Sequence, residues 1–123
     1  MSLQNHMLDG FYVAYVTGAA GIGQVLFVVA GEKIVGADAG GLKYDGKIVI
    51  LPGQGGHRCS LIYSIPAGAA TITGAPPSPQ ALELPLEFDL PINFLEGVIV
   101  RIQTPLGAVN AKFEKLRSLD LNS

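Results

Sequence analysis

The stretch Leu82-Glu83-Leu84-Pro85-Leu86-Glu87-Phe88-Asp89-Leu90 alternates without a break. A period of two sends Leu82, Leu84, Leu86, Phe88 and Leu90 to one face and Glu83, Glu87 and Asp89 to the other. At helical spacing the same residues would be spread around the axis with no dry side. The segment therefore reads as a β-strand with one buried and one wet face. Pro85 has no N–H to give to a neighbour, which points to an edge strand or a bulge.

The same reading extends outward. Toward the C-terminus, Gly97 to Thr104 places Val98, Val100 and Ile102 opposite Ile99, Arg101 and Gln103. Pro105-Leu106-Gly107 turns the chain into Ala108 to Leu116, where Val109, Ala111 and Phe113 share a face. Toward the N-terminus, Pro66 to Gln80 is rich in Pro, Gly and Ala. It reads as an irregular connection, with Ala70 to Thr73 as the one β-prone piece. Before it come β-branched and aromatic runs at Gly10–Thr17, Gly23–Ala30, Lys33–Ala37 and Arg58–Ile65. Leu42–Tyr44 and Lys47–Leu51 flank Asp45-Gly46, which reads as a type I′ turn or a bulge. Gly36 inside a β run suggests a bulge or a barrel corner, and Asp38 before Ala-Gly-Gly suggests an Asx-turn.

No amphipathic helix of ten residues can be drawn, although Asn93 to Glu96 could make one helical turn. The fold class is all-β, expected as a small closed antiparallel barrel of about eight strands, because closure removes the exposed edges of short strands. A two-sheet sandwich is the alternative. The barrel is expected to occupy residues 8–117 as a single domain, with 1–7 and 118–123 as flexible ends.

Composition narrows the function. The chain of 123 residues is 49% apolar and 15% charged, which excludes a disordered, solvating segment. With a net charge of −2 and eight Lys and Arg in all, it lacks the basic footprint that nucleic-acid binding needs. The single Cys59 forbids an internal disulfide and suits a reducing compartment. Met1 to Met7 show no basic start followed by an apolar stretch, so no secretory signal is expected, and the longest apolar run, Val25 to Ala30, is too short to span a bilayer as a helix. A cytoplasmic protein, not a membrane protein, is expected.

The candidate chemistry is thin. His57 with Cys59 or Ser60 is the one local pairing of a base with a nucleophile, without a third group to orient it. Two such groups also fall short of a metal site, so neither a metal nor a cofactor is expected. Glu83, Glu87 and Asp89 read as a solvated strand face. Gly18 to Gly23 lacks the order of a phosphate-binding loop and leads into a strand. No enzyme is expected.

Two apolar features remain. Tyr12, Phe27, Tyr63, Phe88 and Phe113 lie on different strands and would meet inside a barrel, either as a filled core or around a cavity for a small apolar ligand. Phe11, Val13 and Tyr15 give the first strand a second apolar face, expected to be covered by a partner subunit.

The segment Asp9-Gly10-Phe11-Tyr12 resembles the start of the GrlR family, small negative regulators of type III secretion. The resemblance continues through Gly21-Ile22-Gly23, Gly31-Glu32-Lys33-Ile34-Val35-Gly36-Ala37-Asp38, Tyr44 with Gly46, and the last hairpin with Ala111-Lys112-Phe113. It spans roughly residues 8 to 117. It implies a lipocalin-like eight-stranded barrel, a homodimer, and action by protein contact that sequesters a transcriptional activator. The family's acidic surface motif follows the Tyr-x-Gly region. Here that loop, Pro52 to Gly56, contains no acid. The expected function is a non-enzymatic regulatory protein of this kind; the alternative is a carrier or sensor of a small apolar, lipid-like ligand.

Overall fold

The alternation of the deciding stretch is realised as a strand whose leucines at 86 and 90 are buried and whose acids at 83, 87 and 89 are exposed. The structure, a computed structural model, describes residues 7–53 and 55–119. Its strands are β1 (Gly10–Gly18), β2 (Gly21–Ala30), β3 (Lys33–Ala37), β4 (Lys43–Ile50), β5 (His57–Ile65), β6 (Leu82–Leu90), β7 (Ile99–Thr104) and β8 (Gly107–Ser118). They form one antiparallel sheet in the order β6-β5-β4-β3-β2-β1-β8-β7. The sheet curls until β6 and β7 touch without a hydrogen-bonded ladder, giving a nearly closed barrel. Pro85 thus sits on an edge strand, where a missing N–H breaks no second ladder.

The register fixes one inner face all the way round. Tyr12 lies opposite Phe27, Phe27 opposite Gly36, Gly36 opposite Tyr44, Tyr44 opposite Tyr63 and Tyr63 opposite Leu84. A one-residue slip anywhere would turn this set outward. Among the described residues the core consists of apolar side chains from all eight strands, with Leu42 and Phe94 added from loops.

Asp45-Gly46 differs from the reading as a turn. It lies in mid-strand: β4 runs straight through and pairs Asp45 with Ile62 and Gly46 with Leu61. The glycine is needed for proximity, not for a turn. A Cβ on Gly46 would collide with the Ser60 carbonyl oxygen and lie 2.8 Å from the Leu61 Cα. Gly36 carries no bulge either, since β3 pairs with β2 and β4 without a register shift. A Cβ there would stand 2.5 Å from Cδ1 of the Phe27 ring, so the glycine makes room for that ring. The one shift on β1 falls between Phe11 and Tyr12, where β8 inserts Leu116 as an extra residue.

Asp38 behaves as an Asx-turn residue. Its Oδ1 accepts from the N–H groups of Gly40 at 2.9 Å and Leu42 at 3.1 Å. Asp9 ties the start of β1 to the β2–β3 turn, its Oδ1 accepting from the Gly31 N–H at 2.7 Å. The Tyr12 hydroxyl donates to the Leu8 carbonyl at 2.6 Å, and burial, then the nearby Asp9 charge, pushes its pKa up to about 12. Asn93 to Glu96 forms successive turns, with Phe94 N–H donating to Pro91 and Glu96 N–H to Asn93. No strand forms within 66–81. Of the expected flexible ends, residues 1–6 and 120–123 lie outside the described residues. Ser118 closes β8 opposite Gly10, and the Leu119 N–H donates to the Asp9 carbonyl, so the ordered barrel extends past 117.

The inside–outside assignment of β6 has a direct test. Leu86→Asp places a carboxylate in the core and removes apolar burial, a combined cost of several kcal/mol (about 3 or more). Glu83→Lys on the wet face changes stability by about 0.5 kcal/mol or less. Urea unfolding of both variants should show Leu86→Asp unfolded or nearly so and Glu83→Lys like the parent. Equal midpoints would overturn the assignment.

Candidate functional site

Six rings form a column through the barrel. Tyr63 stacks on Tyr44 (centroids 5.5 Å apart, planes 9° apart), Tyr44 meets Phe27 at 5.5 Å, and Phe27 meets Phe113 at 6.5 Å. Phe113 meets Phe94 edge-on at 5.8 Å, and Phe94 meets His57 at 5.9 Å. All these spacings lie in the range of favourable aromatic contact. Phe27, Phe113 and Phe88 border two separate voids, so these three rings act as a partition.

Below the partition the barrel is nearly filled. The void there is about 20 Å³, bounded by Tyr12, Cys59, Leu90 and Phe94 among others. Above it lies a chamber of about 300 Å³. Leu61, Leu86, Val109 and Ala111 form its apolar walls, and Tyr44, Tyr63 and Thr104 supply hydroxyls. Asp38 to Gly40 and Gln24 stand at its rim.

The β5–β6 connection partly covers this end. Ala70, Thr71, Ile72 and Thr73 line the chamber, and Ile72 and Ala69 pack on the core. The connection is pinned to the β1–β2 hairpin by the Ala20 N–H, which donates to the Ile72 carbonyl at 2.9 Å. Internal bonds hold its shape, among them Thr71 to Thr73 (Oγ1–Oγ1, 2.6 Å) and the Gly68 N–H to the Ser78 carbonyl (2.7 Å). A long irregular connection over a barrel mouth, shaped by its own hydrogen bonds, is the usual form of a binding-site cover.

Of the expected lining residues, Phe27, Tyr63, Phe88 and Phe113 border the large chamber; Tyr12 borders only the small void beyond the partition. Tyr44, Asp38 and the 70–73 cover were missed. Reading Asp45-Gly46 as a turn put Tyr44 at a strand end, and the cover has no periodicity to betray it. Desolvation, then the Asp38 charge, raises the pKa of Tyr44 well above that of a free phenol. Tyr63 is raised by burial and by Asp38, partly offset by the neighbouring Thr104 hydroxyl. Both phenols stay protonated in the physiological range. The Thr104 hydroxyl donates to the Gly107 carbonyl at 2.7 Å and accepts from the Leu106 N–H at 3.1 Å, which fixes the β7–β8 turn at the chamber's edge.

His57, Cys59 and Ser60 do not assemble. Cys59 is fully buried opposite Ile48 and Phe88, and burial, then the Asp89 charge, pushes its thiol up to about 12. Ser60 points to the outer face, its hydroxyl donating to Glu87 Oε2 at 3.1 Å. The strand acids are likewise outside. Asp89 accepts from Arg58 Nε at 2.8 Å and from Nη2 at 3.1 Å. Among the described residues no group of three His, Cys, Asp or Glu could hold a metal ion, and no helix is long and apolar enough to cross a membrane.

On the outer face Phe11 and Tyr15 are exposed, as expected, but Val13 is buried. Phe11 and Tyr15 flank it along the strand, Leu26 and Glu114 flank it across the sheet, and together they cover so small a side chain. Val13 is therefore shielded by its own neighbours before any partner arrives. No protein-family model, curated protein or solved structure matches this chain.

His57 yields a pH prediction. Its Nδ1 is buried without a hydrogen-bond partner, and burial lowers its pKa below the usual histidine value of 6.5. The unfolded chain binds this proton first, so stability is held above about pH 6.5 and declines as pH falls toward the depressed folded value. Melting temperatures taken between about pH 7 and pH 5 should fall less in His57→Leu than in the parent. A ring titration by NMR centred above 6.5 would contradict this.

Proposed function

We propose that the chain is a non-enzymatic, lipocalin-like regulatory protein that acts as a homodimer through protein contact, in the manner the GrlR-like resemblance implies. The observation that carries this reading is an apolar outer wall. Cross-strand register puts Phe11 beside Val28, Val28 beside Val35 and Leu26 beside Ala37, a patch across β1, β2 and β3 with the buried Val13 beneath it. Charged strands frame it: Lys43, Asp45 and Lys47 on β4, Lys112 and Glu114 on β8. An apolar centre with a mixed-charge rim has the anatomy of a protein interface. A two-fold contact would set the same patch against itself. Because loop 52–56 carries no acid, this reading assigns partner contact to the wall and not to an acidic loop. The partner class it implies is a transcriptional activator.

Leu26 is 57% exposed at the middle of the patch, so its replacement should not disturb the core. Light scattering after size exclusion should give a dimer for the parent and a folded monomer for Leu26→Asp. In the native host, overproduction of the parent should lower transcription of a defined gene set, and Leu26→Asp should not. A monomeric parent, or transcript levels indifferent to overproduction, would contradict the proposal.

The second reading is a carrier or sensor for a small apolar ligand. The chamber of about 300 Å³ supports it, since that volume is at the lower end for small-molecule sites.

A further inference from the structure

The chamber has one charged side chain on its lining, Asp38, and no Lys, Arg or His. From this composition we infer that the barrel selects small amphiphiles whose head group donates hydrogen bonds, an amine or a hydroxyl, and discriminates against carboxylates. The inference rests on the second reading above and adds the chemical class of ligand.

Three observations carry it. The charge sits at the more exposed end. The walls from Leu61, Leu86 and Val109 are buried, Gln24 is exposed, and Asp38 and the threonines of the cover are half-buried. Of the deeper hydroxyls, Tyr63 and Thr104, the second is already bonded within its own turn. A ligand would therefore lie with its tail down and its head at Asp38. Second, the Asp38 carboxylate is fixed. Its Oδ1 is held by two backbone N–H groups of its own turn, so the charge stays at the mouth. Its field reaches into the chamber, acting on both the Tyr44 and Tyr63 phenols. A carboxylate head would enter that same field with no cation to offset it. A protonated amine would be drawn to it. The nearest basic residues along the chain, Lys33 and Lys43, are both exposed on the outer face, since their neighbours Ile34 and Tyr44 point inward. Third, the size is limited. Taking about 30 Å³ for each water-sized unit, the chamber holds about ten heavy atoms. That suits an alkyl chain of about ten atoms lying within the chamber.

The test is displacement of a bound naphthalene-type fluorophore from the full chain by decylamine, decanol and decanoate at pH 7. The expected order is decylamine tightest, decanol next, and decanoate at least tenfold weaker than decylamine. Asp38→Asn keeps an acceptor oxygen for the turn and removes the charge; it should bring decylamine and decanoate within about threefold of each other. Decanoate equal to or tighter than decylamine in the parent would overturn the inference and leave the ligand-binding reading standing. No displacement by any of the three, or no fluorophore binding at all, would overturn both.

Discussion

A ring of eight strands leaves a bore that inward side chains have to fill, and here that constraint falls on a column of aromatic rings. Phe27 is its centre. It faces Gly36 across the β2–β3 ladder, and the glycine's missing Cβ is the space the ring occupies. From there the column runs up through Tyr44 and Tyr63 and down through Phe113 and Phe94. Interiors are close-packed, so a ring of this size can be seated only where the opposite wall gives way. The barrel consequently divides into a lower half packed almost solid and an upper half with a chamber.

The incomplete seam follows from the same geometry. The sheet is continuous from β6 round to β7, and these two strands meet by side chains alone. Each keeps one row of backbone groups without a strand partner, a hazard for edge-to-edge pairing. On β6 the hazard is reduced by Pro85 and by an outer row of acids, one of them locked to Arg58 by two hydrogen bonds. The strictness of the Leu/Glu alternation that made β6 so readable is thus a property of its place at the edge, with one dry face and one permanently wet one. Strands β1 and β2 instead carry apolar groups outside as well as inside, and that surplus is what the dimer proposal explains.

Fold class was legible because period two survives wherever one face is buried, and the boundaries of β3 and β6 fall where the pattern puts them. What the pattern could not show was tertiary. Gly46 looks like a turn residue in one dimension and acts as a point of close strand approach in three. Val13 looks like part of an exposed stripe, but its larger neighbours cover it. The chamber was half legible: aromatics on separate strands had to converge, yet only the register decides that Tyr12 falls beneath the partition and Tyr44 above it. Ala70 to Thr73 stood out only as a β-prone piece; it forms no strand, and its place as a cover was hidden because an irregular segment held by backbone and threonine hydrogen bonds has no periodic signature.

Outer wall and inner chamber share strands β1 and β2, so a ligand inside and a subunit outside would act on opposite faces of the same two ribbons. All of this depends on the upper half of the barrel being hollow and apolar. Diffraction from a crystal held under xenon pressure tests that most directly, since dry apolar cavities take up xenon. The account predicts xenon between Leu61, Leu86, Val109 and Phe113, on the Tyr63 side of the phenylalanine partition. A chamber closed by collapsed side chains, with no xenon inside the barrel, would contradict it.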